Sequence, residues 1–240
     1  MIPKIIHQIY FDLHNKKIED IPLFKTSSDR IQKLNPDYQY ILWSEKECFD
    51  LVKEKLPEHF EFYKSMKYKI QQIDYMRFVL LYVYGGIYVD LDLIAINKLD
   101  SVLNQKFFAY SLRGFIPKHH EFVQNDFMGS VKGFKLWKIV MDICPINYHK
   151  KLNIKAYAIR KFRFVIHTTG PRFFGKILKK LLPKYIPNKN LVYTKWRNDV
   201  WKKVDRNKYL FENYVSLSWA PIVSDKLKHS DTFNLKKEEL

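Results

Sequence analysis

Apolar runs and polar turns alternate along the first half of the chain, and their spacing predicts strands and helices in turn. Runs of apolar residues at 4–11 and 38–43 predict two strands. Helical spacing over 26–34 predicts a helix between them. Ser44, with Glu47 three residues later, forms the capping pattern that begins a second helix.

The rest of the chain continues this alternation. A long helix is predicted over 60–84, where Gly85-Gly86 ends it and an apolar strand follows. Further predicted elements are strands at 107–112, 162–167 and 191–193, helices at 134–143 and 170–182, and a strand or loop at 214–219. Strands that alternate with helices indicate an α/β fold.

Two aspartates, Asp90 and Asp92, end the apolar strand that follows the glycine pair. Side chains of a strand alternate between its faces, so the sequence predicts both carboxylates on one face and Leu91 on the other. Paired carboxylates beside an apolar strand need a compensating cation. A divalent ion with oxygen ligands would supply it and, with open positions, would hold the diphosphate of a nucleotide-sugar.

Asp74 and Arg77 lie three residues apart on the preceding helix and therefore share a face. Arg77 is suited to bind a phosphate or to brace a carboxylate, and Asp74 to accept hydrogen bonds from ribose or sugar hydroxyls. The alternative is an ion pair within the helix. The site hypothesis gains weight because this helix leads directly into Asp90 and Asp92.

Other polar residues have candidate roles further from this block. Asn125 and Asp126 are expected near the sugar and the acceptor, with Asp126 either a nucleophile, a ligand of the acceptor hydroxyl or a helix cap. His7 lies in an apolar strand and is interpreted as a core histidine. His167 is a candidate for a position near the acceptor.

Composition fits one folded domain over 1–240. Hydrophobic residues make up 47% and aromatic residues 16% of the 240, enough for a substantial core. Two cysteines, Cys48 and Cys144, favour a reducing compartment over a disulfide framework. We find neither a signal-peptide pattern nor a run of about 20 apolar residues, and we expect a cytoplasmic protein.

Positive charge is concentrated in the second half. Lys and Arg number 42 against 25 Asp and Glu, a net charge of +17, and no acidic residue lies between Cys144 and Asn198. Such a block attracts polyanions, although a solvated surface without a specific partner is an equal alternative. A basic amphipathic helix over 173–184 predicts either core packing or shallow docking on an anionic membrane.

Two other function classes are alternatives to nucleotide-sugar chemistry. A metal-dependent phosphohydrolase also relies on paired aspartates, but it usually places more carboxylates and histidines around two ions. A basic nucleic-acid-binding module would leave Asp90 and Asp92 without a role, and no nucleic-acid partner is expected.

The block over 74–92, Asp-x-x-Arg followed by Gly-Gly-Ile-Tyr-x-Asp-x-Asp, resembles the Asp-x-Asp glycosyltransferases of family 32. These include bacterial capsule and lipopolysaccharide transferases, yeast-type α-1,6-mannosyltransferases and, more distantly, the clostridial glucosylating toxins. The segments 2–10, 35–43, 169–171 and 218–219 agree with the same family. The resemblance is dense over the first 100 residues and patchy afterwards.

The resemblance implies a GT-A fold, a Rossmann-like mixed sheet flanked by helices in a single domain. Within it we expect a nucleotide-sugar-binding half over 1–100, an acceptor half over 101–224 and a flexible tail over 225–240. The implied reaction is a metal-dependent, retaining transfer of a hexose from a nucleoside diphosphate sugar to a hydroxyl of a glycan or glycolipid. The implied cofactor is Mn²⁺ or Mg²⁺, and a UDP-sugar is expected ahead of GDP-mannose.

Site residues are carried over from the resemblance by position. Asp90 and Asp92 would hold the metal, with Asn213 as a third ligand where the family often has a histidine nearby. Asp74 and Arg77 would orient the donor sugar and its diphosphate. The remaining donor-binding residues would be Ile9 and Tyr10 at the base, Tyr88 beside the aspartates, and Ser218 and Trp219 over the diphosphate. Peripheral contact with the inner face of an anionic membrane is a further expectation.

Overall fold

The computed structural model describes residues 1–13, 15–111, 123–156, 160–181, 194–196 and 210–213. The helices are α1 Pro22–Leu34, α2 Glu45–Lys55, α3 Pro57–Ser65, α4 Lys69–Val83, α5 Lys135–Leu152, α6 Lys161–Thr168 and α7 Pro171–Leu181. The strands are β1 Ile5–Ile9, β2 Gln39–Trp43, β3 Gly86–Val89, β4 Leu93–Ala95, β5 Phe107–Ser111, β6 Val123–Ser130, β7 Thr194–Trp196 and β8 Phe211–Asn213.

A five-stranded sheet in the order β2-β1-β3-β6-β5 forms the centre of the molecule. Strand β1 runs parallel to β2 and β3, whereas β6 runs antiparallel to β3 and β5. The expected mixed α/β sheet is therefore confirmed. The pairing of Ile6 with Ile87 and of His7 with Tyr88 brings the carboxyl ends of β1 and β3 to one edge, where open α/β sheets bind ligands.

A second, three-stranded sheet has the order β4-β8-β7. Strand β4 begins directly after the two aspartates, and Leu93 is paired with Asn213 of β8. Through this pairing a segment from near residue 213 runs beside the residues that follow β3.

The core covers both faces of the central sheet. On one face Phe78 of α4, Trp137 of α5 and Phe174 of α7 pack against one another, with ring centroids 5.8, 5.7 and 5.4 Å apart. All residues of α4 from Ile70 to Leu81 are buried, as expected for a helix enclosed on every side. On the other face Ile87 lies in a separate apolar cluster.

The glycine pair makes the tight connection from α4 to β3. Gly85 and Gly86 have φ angles of +70° and +93°, in a region that disfavours side chains. A Cβ on Gly86 would also lie 2.6 Å from the carbonyl oxygen of Ile5. Both glycines are needed to bring β3 against β1.

Several predicted elements are confirmed and others are wrong. The capping box of Ser44 and Glu47 begins α2 as expected. The single helix predicted over 60–84 is wrong, because the chain is extended at Met66 and two helices, α3 and α4, occupy the segment. The strand predicted over 162–167 is also wrong. That segment is α6, which buries Phe164, Val165 and Thr168.

Candidate active site

The Asp-x-Asp triplet forms a turn at the carboxyl end of β3. The strand ends at Val89, the N–H of Asp90 donates to the carbonyl oxygen of Asp126 at 2.8 Å, and the N–H of Leu93 donates to the carbonyl oxygen of Asp90 at 3.2 Å. The prediction that both carboxylates lie on one face of an extended strand is therefore wrong, because the backbone turns after Asp90. Asp90 and Asp92 are both half-buried and Leu91 is buried.

Arg77 is the cation that faces this turn. Its Nη2 lies 2.9 Å from Oδ1 of Asp90, and its Nη1 donates to the carbonyl oxygen of Asn125 at 3.1 Å. The guanidinium lies 5.1 Å from the ring centroid of Tyr88, and the Tyr88 hydroxyl donates to the same Asp90 oxygen. Arg77 and Tyr88 therefore fix one oxygen of Asp90 from inside the fold.

Negative charge is concentrated around Asp90. Burial raises the pKa of Asp90 well above its ordinary value, the Arg77 guanidinium opposes this shift, and the nearby Asp92 and Asp126 carboxylates add to it. Burial also works against the charge of Arg77, but Asp90, Tyr88 and Asp74 together outweigh it and the pKa of Arg77 is raised. A single guanidinium therefore faces several carboxylates. The excess of negative charge favours the binding of a second cation at this site.

Asp74 lies one layer deeper, on the other side of Arg77. Its Oδ1 is 3.1 Å from Arg77 Nη1 and accepts from Asn125 Nδ2 at 2.9 Å, while its Oδ2 accepts from the Thr169 hydroxyl at 2.9 Å. Burial raises the pKa of Asp74, and Arg77 and these two donors oppose that rise. The ion pair within α4 is therefore present. A role of Asp74 toward the donor sugar stays a prediction.

Within the segment 169–171, Gly170 has a steric role. A Cβ at Gly170 would lie 2.9 Å from the Ile166 Cα and 3.4 Å from Asp74 Oδ2. The absence of a side chain lets the corner between α6 and α7 approach Asp74 closely.

Sequence reasoning missed Gln8, which holds the aspartate turn from β1. Its Nε2 donates to the Ser27 hydroxyl at 3.2 Å and approaches the carbonyl oxygen of Asp90 at 3.5 Å, and its Oε1 accepts from the Tyr40 hydroxyl at 2.9 Å. The Ser27 hydroxyl in turn donates to the carbonyl oxygen of Leu93 at 2.7 Å. A fully buried glutamine needs hydrogen-bond partners of this kind. The position of Gln8 within an apolar strand was the feature of the sequence that could have indicated them.

The residues expected at the nucleotide base follow β1 at the same edge. Ile9 is buried and is paired with Trp43, and Tyr10 is half-buried with its hydroxyl donating to the carbonyl oxygen of Lys16. Tyr10 also meets Phe24 edge-on, with centroids 6.2 Å apart. Both stay predicted base contacts.

Asp126 and the two histidines have definite positions. Asp126 is buried within β6, so the alternative of a helix cap is wrong. His7 is a core histidine, as interpreted: Trp43 Nε1 donates to its Nδ1 at 3.1 Å, and its Nε2 therefore donates to the carbonyl oxygen of Gly85 at 2.9 Å. His167 lies in the last turn of α6, two residues before Thr169, and is half-buried.

Three predicted residues near the C-terminus are only partly located. The backbone of Asn213 lies in β8 opposite Leu93, next to Asp92, while Ser218 and Trp219 lie outside the described residues. The metal role of Asn213 and the diphosphate role of Ser218 and Trp219 stay predictions.

The carboxylates fit a divalent cation that shares its coordination with a substrate. Among the described side chains, no three from His, Cys, Asp and Glu are grouped so as to hold a metal ion. Mg²⁺-like sites are commonly held by one or two carboxylates together with substrate phosphates. Asp90 and Asp92, two positions apart on a turn with excess negative charge, have the oxygen chemistry for such a shared site.

The basic helix predicted beyond residue 170 packs its apolar side inward. Phe173, Phe174, Ile177 and Leu178 of α7 are buried in the core. Core packing is therefore the correct alternative for this face. In the part of the chain that the structure describes, no helix is long and apolar enough to span a membrane.

The fold and the site together define a class. A mixed GT-A sheet that ends in an Asp-x-Asp turn is the architecture of glycosyltransferases that use nucleotide-sugars. A protein with a dissimilar sequence has a similar fold. The solved structure of a PaToxG glycosyltransferase matches with a TM-score of 0.57 at 20% identity, over 76% of this chain and 70% of that one.

Sequence comparisons support the same family. Residues 23–109 match the family described as the glycosyltransferase sugar-binding region containing the DXD motif. The match confirms the resemblance seen in the motifs, and a glycosyltransferase is the enzyme class that it supports.

Two of the similar curated proteins are enzymes of yeasts. A mannosyl phosphorylinositol ceramide synthase of Saccharomyces cerevisiae is 33% identical over 193 residues, which cover 80% of this chain and 46% of that protein. An inositol phosphoceramide mannosyltransferase of Schizosaccharomyces pombe is 30% identical over 187 residues, 76% of this chain and 49% of that protein. The chain spans less than half the length of either relative.

Proposed function

We propose that the chain transfers mannose from a nucleoside diphosphate sugar to a hydroxyl of a phosphate-containing glycolipid, with a divalent cation bound at Asp90 and Asp92. The observation that carries this proposal is the turn after β3, where Arg77 and Tyr88 fix Asp90 within excess negative charge. The names of the relatives support mannose and a phosphoinositol ceramide acceptor. They give no support to the earlier preference for a UDP-sugar, so GDP-mannose becomes the first donor to test.

The residues of the chain have distinct parts in this proposal. When bound, the cation would neutralise the charge that develops on the departing nucleoside diphosphate. Arg77 stabilises the ionised form of Asp90 and adds positive charge behind it. Gln8 and Ser27 hold the two ends of the aspartate turn, which keeps the carboxylates in place before the donor arrives. Retention of the anomeric configuration follows only from the family resemblance and is part of the proposal.

A donor-hydrolysis screen tests this function without an acceptor. The protein with Mn²⁺ is incubated with GDP-mannose, UDP-glucose, UDP-galactose and UDP-N-acetylhexosamine, and released nucleotide is measured. We expect GDP-mannose to be cleaved, cleavage to stop with EDTA, and Asp92→Asn to lower the rate by at least about a hundredfold. Asp50→Asn, an exposed aspartate on α2, is the control with the same chemical change. Cleavage of a UDP-sugar alone would refute the donor, and full activity of Asp92→Asn would refute the site.

Contact with an anionic membrane is proposed through the end of α5, because the apolar face of α7 is buried. Ile146, Leu152 and Ile154 are 70%, 44% and 41% exposed, and Lys150 and Lys155 are exposed beside them. We call these five residues the α5 end patch. Exposed aliphatic side chains next to lysines match the chemistry of an anionic bilayer surface. The cytoplasmic location expected from the sequence is likewise a proposal.

A further inference from the structure

Four cationic side chains from three helices lie close enough to His167, at the corner between α6 and α7, to act on its charge. Burial and the charges of Arg172, Lys176, Lys151 and Arg163, in that order, lower the pKa of His167 to about 4. We call these five residues the His167 basic cluster. Lys151 comes from the end of α5, Arg163 and His167 from α6, and the other two from the first half of α7.

Packing holds these charges together. Asn147 of α5 donates from Nδ2 to the carbonyl oxygen of His167 at 2.9 Å, and Lys151 donates to Oδ1 of the same asparagine. Burial and the charge of Lys176 lower the pKa of Lys151. The helices are thus fixed in an arrangement that brings like charges close, which costs free energy in the absence of an anion.

The stretch of sequence that carries the cluster has no negative charge of its own. No acidic residue occurs between positions 142 and 199 of the sequence. Within the described ranges, Lys151, Arg163 and Lys176 form no ion pair, whereas lysines elsewhere, such as Lys46 and Lys138, do so with neighbouring aspartates. Arg and Lys side chains that form no such pair are suited to an external phosphate.

The cluster is connected to the candidate active site. His167 lies two residues before Thr169, whose hydroxyl donates to Asp74 at 2.9 Å. Asp74 contacts Arg77 at 3.1 Å, and Arg77 contacts Asp90 at 2.9 Å. The corner between α6 and α7, which carries the basic cluster, therefore packs against Asp74 of the candidate active site.

We propose that the His167 basic cluster binds the phosphodiester of the acceptor. This inference rests on the proposed function, in which Arg77 and the cation at Asp90 take the donor diphosphate. A second phosphate, on the acceptor, needs cationic donors of its own near the site. Arg172 and Arg163 would supply planar N–H pairs and Lys151 and Lys176 point charges. The bound phosphate would offset the mutual repulsion of the four cations.

Binding of a soluble phosphodiester tests the proposal. Glycerophosphoinositol is titrated into the full chain by calorimetry, with myo-inositol as the phosphate-free comparison and inorganic phosphate as the free-anion comparison. The His167 ring is followed by NMR. We expect glycerophosphoinositol to bind, myo-inositol not to bind, inorganic phosphate to bind more weakly, and the pKa of His167 to rise when the phosphodiester is present.

Matched double variants identify the residues. Lys151→Gln with Lys176→Gln removes two charges from the cluster, and we expect the Kd to rise at least roughly tenfold with donor hydrolysis unchanged. Lys53→Gln with Lys180→Gln removes two exposed charges that lie outside the His167 basic cluster, and its Kd should stay near that of the wild type.

Each contrary outcome has a definite meaning. Equal weakening in both double variants, or an unmoved His167 titration, would overturn the cluster as a site and leave a diffuse basic surface. Displacement of glycerophosphoinositol by GDP alone would overturn the acceptor assignment in favour of the donor phosphates. Binding to the cluster in a chain that cleaves no nucleotide-sugar would instead contradict the proposed function.

Discussion

Arg77 has the largest electrostatic role of any single residue in the described site. It contacts Asp74 at 3.1 Å and Asp90 at 2.9 Å while almost fully buried. A buried ion pair gains little over apolar packing, but removing one partner leaves an uncompensated charge. The structure therefore assigns Arg77 both a structural role and an electrostatic role behind Asp90.

We predict that Arg77→Met destabilises the fold as well as lowering donor hydrolysis. Asp74 and Asp90 would lose their shared cation inside the protein, and we expect the free energy of unfolding to fall by about 3–5 kcal/mol. Urea denaturation measures this, with exposed Arg30→Met as the control. A loss below about 1 kcal/mol would mean that other groups already compensate the two carboxylates.

His7 predicts a pH dependence of stability. Burial lowers the pKa of His7 from 6.5 to about 4, so between these values the unfolded state binds a proton that the folded state does not. The contribution of His7 to the free energy of unfolding is fully present above pH 6.5 and is lost as the pH falls toward 4. Between pH 7 and pH 5 we expect a loss of about 2 kcal/mol from this residue.

The variant His7→Gln isolates this effect. The stability difference between wild type and variant should shrink by about 2 kcal/mol from pH 7 to pH 5, measured by urea denaturation at both values. His167, whose pKa is also lowered, is present in both proteins and cancels in the difference. The same difference at both pH values would show that His7 takes up a proton in the folded state.

At the scale of elements, the connection between α4 and β3 determines where the aspartates lie. We predict that Gly86→Ala costs about 3 kcal/mol, because it combines a positive φ with a Cβ 2.6 Å from the Ile5 carbonyl oxygen. Gly133→Ala is the matched control. It has a φ of +69° but nothing within 4 Å of the added Cβ, so we expect a loss of about 1 kcal/mol. Similar losses in thermal unfolding would contradict the close-contact argument.

Local sequence predicted the elements that carry their own signals. The capping box at Ser44 and the helix end at Gly85 can each be predicted from a few neighbouring residues, and both are confirmed. The break at Met66 has no such signal. Beyond it, a tertiary contact, in which the N–H of Lys67 donates to the Tyr148 hydroxyl at 2.9 Å, satisfies a backbone group released by the break.

Tertiary contacts also explain the two other errors. Alternating aromatic residues over 162–167 suit a strand, but burial of Phe164 and Val165 on one face favours α6. The aspartates lie in a turn whose two ends are held by Gln8 and Ser27, which are 82 and 66 positions away from their partners Asp90 and Leu93. Neither partner can be read from the local pattern.

At the scale of the whole molecule, the location of the site was predictable and its internal bonding was not. Parallel pairing of β1 with β3 brings residues after Ile9 and Val89 to one edge, which follows from an α/β pattern. The bonds of Gln8 to Ser27 and of Asp74 to Thr169 join distant segments. Their partners depend on packing that a single sequence does not specify.

The α5 end patch makes the final prediction, on how the whole molecule meets its acceptor. We expect the protein to sediment with vesicles containing anionic lipid and much less with neutral vesicles, and binding to weaken at high salt, because lysines and exposed aliphatic side chains contribute together. Ile146→Gln should reduce binding, since this side chain is 70% exposed. Ile139→Gln, two turns earlier and next to the exposed Asp142, is the control. Equal binding by both variants and the wild type would remove the patch as the contact surface, and equal binding to neutral vesicles would remove the electrostatic part of the argument.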